Sequence, residues 1–182
     1  MEYHEVDLYP ARSLGDTMLG TFFRRQAKKD LSTVAEQAPE VLYNPALVMT
    51  LTHQHRCLVM QLVKAHSSAQ QGLYEEVHQT LDQFQTDLAE HMKRKAAAFH
   101  PYVEAHLRGP DAKDLLREMR ANSLFIERAV ESFLKHYGSY PVTDRTALRF
   151  GIEISGVSEE FCERLEKEEA QFYSLYMPPE AY

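Results

Sequence analysis

Residues 73–103, LYEEVHQTLDQFQTDLAEHMKRKAAAFHPYV, carry the pattern that decides the fold. Their apolar side chains recur every three or four positions, which is the spacing of one face of an α-helix. The recurring positions are Leu73, Val77, Leu81, Phe84, Leu88, Met92, Phe99 and Val103. Pro101 lies late in the stretch and is expected to kink or interrupt the last turns, because proline cannot donate a helical hydrogen bond. The stretch predicts one long amphipathic helix.

Three further segments have the same apolar spacing, and short connections separate them. They cover residues 45–72, 110–138 and 143–176. Asn44 and Pro45 suit the start of the first segment, because asparagine caps helix N-termini and proline fits the first helical position. Gly151 and Gly156 interrupt the pattern of the last segment, so this helix is either continuous or begins at Ser158. Four such helices predict an all-α, antiparallel up-down four-helix bundle.

The chain is predicted to have three parts. They are an N-terminal arm or extra helix over residues 1–44, the bundle over residues 45–178, and a short tail over residues 179–182. Within the arm, residues 14–37 combine helical apolar spacing with two pairs of basic residues. We favour an additional N-terminal helical segment that packs on the bundle, because apolar stripes mostly mark core contacts. A flexible docking arm is the alternative.

Composition excludes several classes of protein. The 182 residues include only seven glycines, whereas barrels, sandwiches and phosphate-binding loops need many tight turns. Cys57 and Cys162 stand alone, which indicates neither a zinc ribbon nor a disulfide framework. The formal net charge of -7 disfavours nucleic acid as a direct partner. No apolar run approaches the roughly 20 residues of a membrane span, so we expect no membrane association and a cytoplasmic location.

Each predicted bundle helix turns at least one polar or ionisable side chain into its apolar stripe. These side chains belong to His55, His91, Lys95, Asn122 and Glu168. A buried polar group without a hydrogen-bond partner costs about 1–3 kcal/mol, and a buried charge costs more. The five side chains are therefore expected to be paired with one another or with a ligand.

Two explanations of these residues compete. One is a metal site, since helical bundles hold metals through inward imidazoles and carboxylates. The other is a hydrogen-bonded polar layer, for example with Lys95 paired to Glu168 and His91 paired to Asn122. We favour the polar layer, because a protonated lysine repels a cation and has no lone pair to offer. We therefore predict no metal or cofactor; if a metal is present, its ligands are His55, His91 and Glu168.

No catalytic motif stands out in the sequence. The chain lacks the glycine-rich nucleotide-binding patterns, the serine-hydrolase elbow and the H-E-x-x-H zinc motif. Nothing in the pattern assembles a nucleophile, a base and a donor for an oxyanion. We therefore predict that the protein is not an enzyme.

The stretch around His91 resembles the hemerythrin-like (HHE) domain. That family's pattern places a His three residues after a Leu, and Leu88 and His91 fit it. Pro101 lies ten residues after His91, as the pattern requires. Other ligand positions of the pattern hold Lys95, Asn122, Glu168 and Phe172 in this chain. The resemblance implies a helical bundle, and it implies iron or gas binding through the remaining candidates, which are His55, His91 and Glu168, together with Glu169.

Other stretches resemble the Rsd/AlgQ family of bacterial regulators, which bind the primary sigma factor of RNA polymerase. The similar stretches follow one another in the family's order from about residue 51 to residue 176. They are His55-Arg56 before Leu58-Val59, Leu81-Asp82-x-Phe84-x-x-x-Leu88, Met119-Arg120-Ala121-Asn122-Ser123-x-x-Ile126, and Arg164-x-x-x-Glu168-Glu169. The resemblance implies a bundle that binds another protein and regulates transcription.

Our leading hypothesis is a non-enzymatic regulatory or adaptor protein that binds a sigma factor or another transcription component. The acidic balance suits a partner with a basic surface, such as a DNA-binding regulator. A hemerythrin-like protein that binds iron or a gas is the first alternative. A bundle whose arm over residues 1–44 binds the partner is the second. The oligomeric state stays open, because apolar residues such as Phe22, Phe23 and Tyr182 suit dimerisation as well as partner binding.

Overall fold

The structure, a computed structural model, describes residues 41–182. Five α-helices lie in this part of the chain: α1 (Leu47–Gln70), α2 (Tyr74–Arg94), α3 (His100–His106), α4 (Ala112–Ser139) and α5 (Ala147–Lys167). Between residues 41 and 182 there is no β-strand, and no helix is long and apolar enough to cross a membrane. The predicted helix over residues 14–37, and most of the predicted arm over residues 1–44, lie outside the described residues.

Side-chain contacts show that neighbouring helices run antiparallel. As the residue number rises along one helix, the number of its partner on the next helix falls. The pairs are Gln61–Asp87 and Ser68–Glu76 between α1 and α2, and Glu118–Lys167 and Tyr137–Glu153 between α4 and α5. α1 also packs against α5, and α2 packs against α4, so the four long helices close a ring. The predicted antiparallel up-down four-helix bundle is confirmed.

The observed bounds of the first and last bundle helices differ from the predicted bounds or decide between them. α1 begins at Leu47, two positions later than predicted, and Asn44 Oδ1 accepts a hydrogen bond from the Ala46 N–H at 3.0 Å. α5 is continuous across Gly151 and Gly156, which excludes the later start. Its buried face on both sides of the glycines consists of Phe150, Ile154, Phe161 and Leu165. Packing of this face outweighs the weak helix propensity of glycine.

Two π-helical turns continue the helices of the bundle. The turn Lys95–Phe99 joins α2 to α3, and the turn Glu168–Phe172 follows α5. The helix is disturbed just before Pro101, as predicted, by the π-turn Lys95–Phe99. Pro101 itself lies at the start of α3, where its missing N–H is tolerated. Because a π-turn closes i→i+5 hydrogen bonds, it shifts the following residues relative to the α-helical face.

The buried interior has two apolar parts separated by polar side chains. The larger part, called the main core below, includes Leu58, Leu62, Phe84, Leu88, Ile126, Val130, Phe161 and Leu165. The smaller part, called the aromatic end, consists of Leu47, Leu51, Phe99, Tyr102, Val103, Met119, Phe172, Tyr173 and Tyr176. Between them lies the polar layer, formed by His55, His91, Lys95, Asn122, Ser123 and Glu168. The layer residues come from α1, α2 and α4 and from the two π-turns that follow α2 and α5.

Candidate metal centre

The structure buries all five polar residues that interrupt the predicted stripes. His55, His91, Lys95, Asn122 and Glu168 are each 3% exposed or less. Three of them, His55, His91 and Glu168, each offer one metal-ligand atom, and these three atoms lie within 4.8 Å of one another. The three groups come from α1, α2 and the π-turn after α5, so the folded bundle is what brings them together.

Both ring nitrogens of His55 have hydrogen-bond partners. Nδ1 lies 2.7 Å from Glu169 Oε1, and Nε2 lies 3.0 Å from the Tyr173 hydroxyl. A carboxylate can only accept, so Nδ1–H donates to Glu169 and the Tyr173 O–H donates to Nε2. Burial lowers the pKa of His55, and the nearby Glu168 opposes that shift. The imidazole is therefore neutral near neutral pH, and its Nε2 lone pair points toward the layer.

His91 has a free lone pair in the interior. Its Nδ1 lies 3.2 Å from Gln54 Oε1, an acceptor, so Nδ1 carries the proton. Nε2 is buried and has no hydrogen-bond partner among residues 41–182. Burial lowers the pKa of His91 well below its usual value, and the Lys95 ammonium lowers it further. A neutral imidazole with an unpartnered nitrogen is the form in which histidine binds a metal.

Lys95 and Glu168 form a buried ion pair across the layer. The Lys95 ammonium contacts Glu168 Oε1 and also donates to the Ser123 hydroxyl at 3.2 Å. Glu168 Oε2 lies 4.0 Å from His55 Nε2 and accepts no hydrogen bond from any described residue. The two oxygens of this carboxylate therefore face different sides of the layer.

The example of His91 paired with Asn122 is wrong. Asn122 Nδ2 instead donates to the Arg164 carbonyl at 3.3 Å, and His91 uses Gln54. The reason lies in the packing, since α1 follows α2 along its length whereas α4 meets α2 at few points. Asn122 Oδ1 is buried and has no hydrogen-bond partner in the described part of the chain.

Three contributors to the site were missed in the sequence: Gln54, Ser123 and Tyr173. Gln54 and Ser123 are neighbours in sequence of His55 and Asn122, and they touch the layer from the flanks of the apolar stripes. Tyr173 comes directly after Phe172, and both are buried. The π-turn Glu168–Phe172 comes directly before Tyr173, and it shifts the residues that follow it relative to the α-helical face. The sequence carries no plain signal for such a turn.

The family described as the hemerythrin HHE cation binding domain matches residues 46–176, which is most of the chain and nearly the whole bundle. Neither the curated proteins nor the solved structures contain a match to this chain. The matched range includes all three candidate ligands, His55, His91 and Glu168.

Proposed function

The chain belongs to the hemerythrin HHE cation-binding domain family, and from that premise we propose that it binds one divalent transition-metal cation, in a binding role rather than an enzymatic one. The proposed ligands are His55, His91 and Glu168. One observation carries the proposal: three buried ligand groups from three separate helical elements converge within 4.8 Å. Hydrophobic packing alone would not gather two neutral imidazoles and a carboxylate at one point.

The free lone pairs of the layer support this proposal. His91 Nε2 and Glu168 Oε2 have no hydrogen-bond partners among residues 41–182, which is costly unless a ligand uses them. The outer hydrogen bonds also fit, because metal-bound histidines usually donate their second N–H to a carboxylate or a carbonyl. His55 donates to Glu169, and His91 donates to Gln54.

The donor set indicates the class of metal. Imidazole suits iron, copper, nickel and zinc, and two histidines with one carboxylate form the facial triad of non-haem Fe(II) sites. A bound ion of this kind supplies a Lewis acid with open positions for small ligands. Tyr173 must release its hydrogen bond to His55 Nε2 before that nitrogen can bind a cation.

A pair of metal ions does not fit the layer. The remaining ligand positions of the family pattern hold an ammonium (Lys95), an amide (Asn122) and a phenyl ring (Phe172). Lys95 brings a positive charge into contact with Glu168, and a phenyl ring offers no ligand atom. The chain therefore retains donors for one cation on the imidazole side of the layer.

Metal titration with matched histidine variants tests this proposal. We expect about one Fe²⁺, Mn²⁺ or Zn²⁺ ion per chain by elemental analysis and calorimetry, the stoichiometry of a single protein-bound site. His91→Gln should weaken binding by more than about tenfold, since even outer-shell partners contribute about 10–100-fold. His53→Gln is the matched control, because His53 lies on the exposed side of α1. Absence of binding for all three metals in the folded wild-type protein would refute the proposal.

A protein-binding role remains a second candidate, supported by a different surface. A groove of ≈ 640 Å³ lies between α1 and α5, and its rim carries Leu148 and Ile152, which are 79% and 68% exposed. Exposed apolar side chains at a groove are typical of interaction sites. The sigma factor named by the Rsd/AlgQ resemblance, or another transcription component, stays a prediction for this role.

Direct titration with the purified primary sigma factor of the source cell tests the second candidate. Ile152→Asp should abolish the interaction if this groove binds the partner. Leu124→Asp is the matched control, because Leu124 is an exposed leucine on α4, away from the groove. An affinity that is equal for both variants would exclude the groove, and no binding by the wild-type protein would exclude the sigma factor.

A further inference from the structure

The buried lysine of the polar layer is the feature that metal binding does not explain. The Lys95 side chain is 0% exposed, and its partners are the Glu168 carboxylate and the Ser123 hydroxyl. Taking an ammonium out of water is costly, and the interior tolerates it only beside a compensating charge and hydrogen-bond acceptors. Glu168 and Ser123 therefore make it possible for the Lys95 ammonium to be buried.

Glu168 is the counter-ion of this ammonium. The other carboxyl groups near the layer are less suited to that role. Glu169 is hydrogen-bonded to His55 and is partly exposed. Glu127, on α4, forms no ion pair with Lys95, and burial raises its pKa to about 7. Glu127 is therefore only partly charged near neutral pH, whereas Glu168 directly contacts Lys95.

The Glu168 carboxylate faces two groups, the Lys95 ammonium and the His55 imidazole. Its Oε1 atom is held by the Lys95 ammonium, while its Oε2 atom faces the His55 imidazole at 4.0 Å. A cation bound by His55, His91 and Glu168 would lie beside the same carboxylate that Lys95 already neutralises. Two positive centres on one carboxylate repel each other strongly in an interior of low dielectric constant.

We propose that Lys95 is an internal counter-cation, which holds Glu168 in the metal-free protein and weakens the binding of a divalent cation to that carboxylate. Lys95 thereby makes the metal-free bundle stable and sets the metal concentration at which the site fills. The statement about metal affinity rests on the proposed function, whereas the statement about the stability of the metal-free bundle does not. Lys95 is a residue that determines affinity, and it acts through Glu168 without being a ligand.

Thermal unfolding with and without Zn²⁺ tests this inference on four proteins: the wild type, Lys95→Met, the double variant Lys95→Met/Glu168→Gln, and Lys93→Met. Metal-free Lys95→Met should melt about 10 °C below the wild type, because it leaves a buried carboxylate uncompensated. Zn²⁺ should bind Lys95→Met more than about tenfold more tightly than the wild type, because the repelling ammonium is gone. Lys93 is exposed near the end of α2, two residues before Lys95, so Lys93→Met should match the wild type in both measurements.

The double variant separates charge from packing. It lacks both buried charges and should regain most of the wild-type melting temperature, but without Glu168 it should show no tight Zn²⁺ binding. If Lys95→Met does not fold alone, refolding in the presence of Zn²⁺ becomes the measurement: recovered folding supports the inference, and failure to recover overturns it.

Three results would overturn the inference, and they can be told apart from failure of the proposed function. If the wild type binds Zn²⁺ and Lys95→Met binds it no more tightly, the inference fails and the proposed function stands. If neither protein binds Zn²⁺, Fe²⁺ or Mn²⁺, the proposed function fails, and the statement that Lys95 sets the metal affinity fails with it. If metal-free Lys95→Met melts at the wild-type temperature, Lys95 is not the counter-cation of the layer.

Discussion

The two sides of the polar layer differ in whether their ligand atoms have partners. On the imidazole side, His91 Nε2 and Glu168 Oε2 have no hydrogen-bond partners within the described residues. On the ammonium side, Lys95 occupies Glu168 Oε1 and also donates to Ser123. The same bundle therefore offers free lone pairs on one side and the buried Lys95–Glu168 ion pair on the other.

This difference shows how helical bundles can vary a buried site without changing their fold. The main core and the aromatic end hold the helices together on both sides of the layer. A lysine that faces a buried carboxylate neutralises it with its own ammonium group. A histidine with an unpartnered nitrogen can instead bind a metal cation from solution. One carboxylate, Glu168, serves both sides.

The largest expected effect comes from removing the charge that the two sides share. Glu168→Gln leaves the Lys95 ammonium buried without a counter-ion, and breaking a buried pair in this way costs about 3–5 kcal/mol of unfolding free energy. Urea unfolding in metal-free buffer measures this loss. Glu166→Gln, two residues earlier on an exposed face, should change stability by less than about 0.5 kcal/mol. Equal stability of the two variants would show that the ion pair contributes nothing.

His100 offers a comparison for His91, because it is a second imidazole with a buried, unpartnered nitrogen. His100 Nε2 also lacks a hydrogen-bond partner in residues 41–182, but His100 has no place in the candidate ligand cluster. Burial, with Lys95 and Arg120 as further causes, lowers the pKa of His100 from 6.5 to about 3. A His100→Gln variant should therefore bind Zn²⁺ as the wild type does.

The same shift predicts how stability depends on pH. The pKa of His100 is lower in the folded state, so the unfolded chain takes up a proton first as pH falls below 6.5. Stability is therefore lost as pH falls from 6.5 toward 3, and at pH 5 this group should account for about 1–2 kcal/mol. Urea unfolding at pH 7 and pH 5 should show a smaller loss in His100→Gln than in His53→Gln, whose histidine is exposed. Equal losses would contradict the burial argument.

The smallest effect concerns the hydrogen bond that covers the imidazole side. Tyr173→Phe removes the O–H that donates to His55 Nε2 and should lower metal-free stability by about 1 kcal/mol. Zn²⁺ binding should become tighter, because that nitrogen no longer has to give up a hydrogen bond. Tyr140→Phe is the control, since Tyr140 is 66% exposed. Weaker Zn²⁺ binding by Tyr173→Phe would instead show that the phenol assists the cation.

The fold and the positions of the layer could be read from apolar spacing. Leu51 and Leu58 flank His55 on one helical stripe, and Met119 and Ile126 flank Asn122 in the same way. A polar residue in such a stripe must face the interior once the helix packs. Helix period therefore predicts which residues are buried in this bundle.

Spacing could not predict the pairing of those residues or the side chains that surround them. His91 contacts Gln54 instead of Asn122 because packing of α1 against α2 decides its partner. Tyr173 follows the π-turn after α5 and donates a hydrogen bond to His55, and helix period does not anticipate such turns. The choice between a polar layer and a metal site depends on free lone pairs, which only the folded arrangement reveals.

X-ray absorption spectroscopy of the Zn²⁺-loaded protein tests the central claim most directly. We predict one ion with two imidazole ligands and carboxylate oxygen in its coordination shell, at zinc–nitrogen distances of about 2.0–2.1 Å. The spectrum should show no second metal nearby, because Lys95 occupies that side of the layer. Imidazole signals should disappear in His91→Gln/His55→Gln and persist in His53→Gln. A shell without imidazole, or a metal–metal vector, would contradict a single cation on the imidazole side.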